Sequence, residues 1–377
     1  MLIPSQKHLF DIPDSHAYLN TAYMSPLMHK VVAAIEQGVR TKARPWTYNP
    51  KDFFTPVERL RTVAARIYGT DAQNIAIVPS VSYGIQIAAN ALPMEAGKHV
   101  LVLDEQFPSN VFPWQEKVKR CAGHVVTVPA PADHDWTAAV LDHITDETAI
   151  LALPQTHWST GATLDLVAIG KAARAVGATL ALDLTQSLGA QPFDLKAVQP
   201  DFVMTATYKW LLGPYGLGCL YVAPRWHDAE PLEHNWINRA GSEDFTGLSR
   251  YSQDFQAGAV RFDMGEKSNP GPLMGAATAM EQILDWGIDN IAETLSAKTL
   301  HMANAVASNI ITPVPQAMRA PHYLGLSFAG GKLEGLAERL SAQNMYVSVR
   351  GSTMRVTPHL YSTDEDIERF IAALADI

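Results

Sequence analysis

From about residue 60 to residue 225, short apolar runs alternate with helix-like stretches. This alternation constrains the fold more than any other feature of the chain. Residues 74–78, 99–103, 125–128, 148–153, 179–182, 202–205 and 218–222 read as strands. Helical stretches at 82–91, 110–119, 136–143 and 166–175 fall between them. The strands are rich in Val, Ile and Leu without a polar face, which is the pattern of a sheet buried on both sides. Strands joined through helices run parallel, so the expected fold class is α/β with a mostly parallel central sheet.

The pattern changes toward the C-terminus. A long helical stretch at 273–308, with a break at Gly287, leads to strands at 322–328, 345–349 and 353–357. A helix at 333–343 and a final helix from Thr363 complete a small α+β unit with a mainly antiparallel sheet. Residues 231–256 are polar and glycine-bearing and read as a long loop, a kind of segment that often serves function. A chain of 377 residues with 47% hydrophobic content suits two domains with sizeable cores. The expected division is 18–260 for the large domain, with 1–17 and 261–377 forming the small one through the long helix.

Composition narrows the function classes. The net charge of −9, without a basic run or stripe, argues against a nucleic-acid partner. No apolar run reaches membrane-spanning length, so no membrane partner is expected. The two cysteines, Cys121 and Cys219, have no motif spacing. Neither a disulfide framework nor a metal site follows from them. The N-terminus lacks the architecture of a signal peptide, and a cytoplasmic location is the expectation.

Chemistry concentrates at strand ends. Lys209 lies between a buried strand and a glycine-rich turn, flanked by Tyr208 and Trp210. A desolvated lysine has a lowered pKa and becomes a usable amine. Asp183 ends an apolar strand, where ligands of open α/β sheets bind. It is either a helix cap or the partner of a protonated ring nitrogen. Together with Gln186, these residues suit pyridoxal 5′-phosphate, which needs an amine for its aldehyde and an anion for its ring.

Other candidates carry two readings each. Ser80, Val81 and Ser82 join a strand to a helix and offer hydroxyls and backbone N–H groups to a phosphate, although serine is also a common cap. Phe107 follows a strand and either packs in the core or stacks on a cofactor ring. His157 sits at another strand end as an acid/base or orienting group. Arg355, among small and apolar neighbours, suits capture of a carboxylate or a surface ion pair.

On these residues the chain resembles the class V aminotransferase group of fold-type I pyridoxal-phosphate enzymes. That group includes cysteine desulfurases, selenocysteine lyases, isopenicillin N epimerase and kynureninase. The resemblance runs from 17–22 to the last helix and is strongest at 183–186 and 208–216. It implies a seven-stranded large-domain sheet, an amino-acid substrate and a homodimer with shared sites. The family's ring-binding aspartate, glutamine and Schiff-base lysine fall on Asp183, Gln186 and Lys209. Its stacking residue falls on Phe107, its phosphate loop on Ser80–Val81–Ser82, and its phosphate-binding histidine on Tyr208. Substrate contacts fall on Arg355 and, in the N-terminal stretch, Asn20.

Departures from the family pattern also matter. A family serine is Ala206 here; either Thr205 or Thr207 compensates, or that contact is absent. Residues 261–269 resemble the segment that reaches the neighbouring subunit's phosphate. The mobile cysteine of desulfurases has no counterpart at 347–353, so persulfide chemistry is not expected. The expected activity is that of an aminotransferase or lyase. A kynureninase-like hydrolase and a catalytically idle binding protein are the alternatives.

Overall fold

A computed structural model describes residues 1–331 and 334–375. Its strands in chain order are β1 (Ala17–Tyr18), β2 (Ile75–Val78), β3 (His99–Leu103), β4 (His124–Val128), β5 (Thr148–Pro154), β6 (Thr179–Asp183), β7 (Phe202–Ala206) and β8 (Gly218–Val222). They continue as β9 (Ile311–Pro313), β10 (Leu324–Phe328), β11 (Met345–Tyr346), β12 (Ser348–Arg350) and β13 (Thr353–Val356). The α-helices are α1 (His29–Lys42), α2 (Thr55–Tyr68), α3 (Val81–Ala91), α4 (Phe112–Arg120), α5 (Trp136–His143), α6 (Leu166–Ala175), α7 (Leu195–Val198), α8 (Pro270–Trp286), α9 (Ile288–Val306), α10 (Leu336–Ser341) and α11 (Asp364–Ala375).

Seven strands form the central sheet in the order β2-β8-β7-β6-β5-β3-β4. Five of them, from β4 across to β7, pair in parallel; β8 runs antiparallel to both β7 and β2. The exception has a local cause. Only a turn separates Ala206 from Gly218, and a parallel return needs a crossover of a dozen or more residues. Side chains alternate across the sheet. Leu101, Leu103, Leu180 and Leu182 face the cluster formed with α2, α6 and α8. Val100, Val102 and Ala181 face the one formed with α3 and α4. The result is a buried sheet between two helical layers, as α/β patterning requires.

Parallel order places the carboxyl ends of β2, β3, β5, β6 and β7 along one edge. Ser80, Phe107, His157, Asp183 and Lys209 lie at or just after these ends, whereas Arg355 lies within β13 and Asn20 follows β1.

The second sheet is antiparallel, β12-β13-β10-β9. The single strand expected at 345–349 is corrected to two. β11 pairs in parallel with β1, and β12 turns to pair with β13. The long helix breaks at Gly287, whose φ of +79° is a conformation that favours glycine. The expected start of the helix at 333 lies outside the described residues, and its described part is α10. Helices α1 and α2 have no counterpart in the sequence reading. They pack on α8, and a Cβ on Gly38 would lie 2.5 Å from the Gly271 Cα. Glycine is what allows that approach. Among the described residues, no helix is long and apolar enough to cross a membrane.

Candidate active site

The turn after β7 presents the lysine. Thr207 N–H donates to the Leu217 carbonyl at 3.1 Å, and Gly213 N–H donates to the Thr207 carbonyl at 2.8 Å. The Thr207 hydroxyl closes the loop by donating to the Pro214 and Leu217 carbonyls. Thr207 is thus committed to the turn, and the Thr205 hydroxyl contacts only the Ala206 carbonyl, at 3.4 Å. Of the two readings for the family serine's contact, these bonds favour its absence.

Held this way, Lys209 is 6% exposed, and its Nζ lies 5.5 Å from the ring centroids of both Phe107 and Tyr208. Burial pushes its pKa down to about 8, and Asp183 opposes the shift while Arg355 and Arg350 add to it. Asp183 is also buried. Its carboxyl accepts the Thr185 N–H at 3.0 Å. Burial raises the Asp183 pKa, and the Thr185 hydrogen bonds and the Lys209 charge restrain the rise. Both groups line one cavity, yet among the described residues they form no ion pair with each other.

Ser80, Val81, Ser82, Phe107, Gln186 and Tyr208 line the same cavity. Ser80 caps α3 by accepting the Tyr83 N–H at 3.2 Å, and its hydroxyl lies 3.0 Å from that of Ser82. Free N–H groups and the dipole at a helix N-terminus favour a nearby anion. Gln186 is fixed by a donor-only partner, since Trp210 Nε1 donates to its Oε1 at 3.0 Å. The amide nitrogen then donates to the Ala22 carbonyl at 3.2 Å and has a second hydrogen to offer. Burial pushes the Tyr208 hydroxyl up to about 12, so it stays a neutral donor.

Arg355 stands behind this lining and is 2% exposed. Its Nε donates to Ser348 Oγ at 2.9 Å and its Nη1 to the Trp158 carbonyl at 3.1 Å. No carboxylate is among these partners, so the surface ion-pair reading fails. Asn20 is buried as well, and its Oδ1 has no hydrogen-bond partner. His157 does not line the cavity. Its Nε2 lies 3.1 Å from the Asp104 carbonyl, its Nδ1 3.1 Å from Ser159 Oγ, and its ring stacks on Trp136. Burial lowers its pKa to about 4. It braces the loop after β3.

The neighbouring Trp158 lines the cavity instead, edge-on to Phe107 at 5.4 Å. Sequence reasoning missed it, along with Tyr215, Gln106 and Trp210. Their only signal was adjacency to residues already singled out. The 231–256 segment is a loop, but Trp236 and Arg239 line a separate cleft. Within 261–269, Asp263 and Lys267 are buried inside their own chain, which leaves Glu266 and Asn269 at the surface. No group of three or more metal-ligating side chains occurs among the described residues.

A family model, aminotransferase class V, matches residues 17–370. The chain belongs to the class V aminotransferase family. Members of this family are pyridoxal-phosphate enzymes. An uncharacterized aminotransferase of Bacillus subtilis, YcbU, is 27% identical over 99% of this chain and 98% of its own length. A kynureninase of Deinococcus radiodurans is 29% identical over 78% of this chain and 71% of its own length. Among solved structures, a mutant of the protein C-DES with glycine covalently linked to its PLP cofactor superposes with a TM-score of 0.88. The identity there is 18%, and 99% of each chain is covered. That class V match and this superposition agree on the fold.

Proposed function

We propose that this class V family member binds pyridoxal phosphate on Lys209 and acts on an α-amino acid as an aminotransferase or lyase. The observation that carries the reading is a buried amine and a buried carboxylate facing one cavity without pairing. The donor set fits the cofactor: an aldehyde for Lys209, a ring nitrogen for Asp183, a phenolic oxygen for Gln186, and a phosphate for the α3 N-terminus with Tyr208. When bound, the cofactor supplies a carbonyl for the substrate amine and a ring that acidifies the substrate's α-hydrogen.

The chain's own residues do the rest. Asp183 keeps the ring nitrogen protonated. Phe107 covers a ring face. Arg355 holds the substrate carboxylate, with Ser348 and the Trp158 carbonyl fixing its fork. Asn20, whose buried Oδ1 can only accept, is assigned a hydrogen of the substrate amine. With the cofactor in place, Lys209 would be the residue placed to move the substrate's α-proton, and burial that lowers its pKa to about 8 suits that task. Borohydride reduction of the holoenzyme followed by peptide mapping tests the assignment. A label on Lys209 is expected, and a label on any other residue overturns it.

Persulfide chemistry is disfavoured. The 347–353 segment has no cysteine, and Cys219 is buried in the central sheet. A kynureninase-like hydrolase is the second reading, favoured by Phe107 and by the Deinococcus relative. Release of anthranilate from kynurenine decides for it. A homodimer completes the proposal: Tyr215 lines the cavity mouth while 70% exposed, as a residue awaiting a partner surface would. Sedimentation as a monomer at working concentration would remove that element.

A further inference from the structure

The hairpin β12–β13 carries a second arginine that the assignments above do not use. Ser348 lies opposite Arg355, Val349 opposite Met354, and Arg350 opposite Thr353. With a strand period of two, Ser348, Arg350, Thr353 and Arg355 share one face. Met354 and Val349 point the other way, into the small-sheet core. Arg350 and Arg355 are diagonal neighbours on the shared face. Such neighbours are roughly 7–8 Å apart, and two long side chains can converge from there on one small molecule.

Charge on this face of the hairpin is unbalanced. Arg350 is half-buried, and its Nη1 donates only to the carbonyl of the adjacent Val349, at 2.7 Å. Arg355 bonds a hydroxyl and a carbonyl. No acidic residue occurs between Glu338 and Asp364. Asp183 is the one carboxylate on the cavity wall among the described residues, and the ring nitrogen claims it. Burial and the Arg355 charge both disfavour the charged Arg350, with Tyr323 and Tyr23 opposing. The Lys209 amine responds to both guanidinium groups. A monocarboxylic substrate would neutralise Arg355 and leave Arg350 facing only like charges.

We propose that the substrate is an α-amino acid with a second carboxylate on its side chain, and that Arg350 is the residue that receives it. This rests on the assignment of Lys209, Asp183 and Arg355 above. The gain is that of a charge-assisted hydrogen bond in a partly desolvated place.

The test is a set of absorbance titrations of the holoenzyme with L-aspartate, L-asparagine, L-glutamate and L-glutamine. In the wild type, at least one acid is expected to half-saturate at a concentration about tenfold to a hundredfold below its amide. Arg350→Met should collapse that ratio toward one, and Arg350→Lys should retain part of it. Acid-to-amide ratios near one in the wild type, as a partner-subunit carboxylate on Arg350 would produce, overturn the proposal. A ratio unchanged in Arg350→Met does so too. The wild-type ratio stands as a test even if a variant fails to fold. Failure of the underlying assignment looks different: the visible band or the Lys209 label is missing before any amino acid is added.

Discussion

Two lysines of this chain are buried to a similar degree and meet opposite surroundings. Lys267 Nζ donates to Asp263 at 2.7 Å and to Asn238 Oδ1 at 2.9 Å. The same carboxylate accepts Arg61 at 2.7 and 3.1 Å and the Ile77 N–H at 2.7 Å. Burial alone would raise the Asp263 pKa, but Arg61 and Lys267 outweigh it and leave the carboxyl below its usual range. Lys209 has none of this. Its nearest carboxylate is held by Thr185, and its amine faces rings and open space. A buried charge with its partners in place is architecture. One kept without them is held ready for a ligand, because nothing else offsets its desolvation.

The contrast can be broken most sharply at Lys209. Lys209→Ala should lower turnover at least about a thousandfold, the scale of a lost general base plus a lost covalent anchor. It should leave thermal stability unchanged or improved; steady-state rates and a melting curve check both halves. Asp263→Asn should do the reverse. It leaves Arg61 and Lys267 without their carboxylate and should destabilise the fold by roughly 3–5 kcal/mol, read by chemical denaturation, while any folded fraction still takes up cofactor.

The third test sharpens the comparison through pH. Lys209 is lowered to about 8, so its amine is protonated below that value and cannot attack an aldehyde. Cofactor uptake by the apoprotein should fall about tenfold per pH unit below 8 and level off above it, followed by stopped-flow absorbance. A rate still rising steeply above pH 9 would mean the amine is not desolvated. The smallest effect belongs to Ser80→Ala. It removes the α3 cap, worth about 1 kcal/mol, and should also weaken cofactor retention on dialysis, which loss of a cap alone would not do.

Much of the large sheet was legible because its strands are continuous apolar runs with helices between them. The residues at their carboxyl ends, Asp183 and Lys209, were legible for the same reason: polarity at the end of a buried run stands out. What escaped depends on contacts distant in sequence. Nothing local distinguishes Trp158 from His157; the packing of Trp136 on the histidine ring and the contact of that ring with the Asp104 carbonyl decide which enters the cavity. Gln186 was legible as a residue, but its orientation is set by Trp210 across the fold. The reversal of β8 could have been read from the shortness of the turn before it. The split of 345–349 into two strands could not, since Ala17–Tyr18 captures half of that run.

That capture has a practical reach. The pairing of Ala17 with Met345, together with the Thr21 hydroxyl donating to the Thr357 carbonyl at 2.9 Å, stitches the beginning of the polypeptide to the hairpin bearing both guanidinium groups. Trimming the first eighteen residues would therefore loosen substrate recognition while leaving Ala22 on Gln186 and Ser25 on Tyr208 in the lysine turn. A shortened version that stays yellow but no longer discriminates among amino acids would be the signature of that seam coming undone.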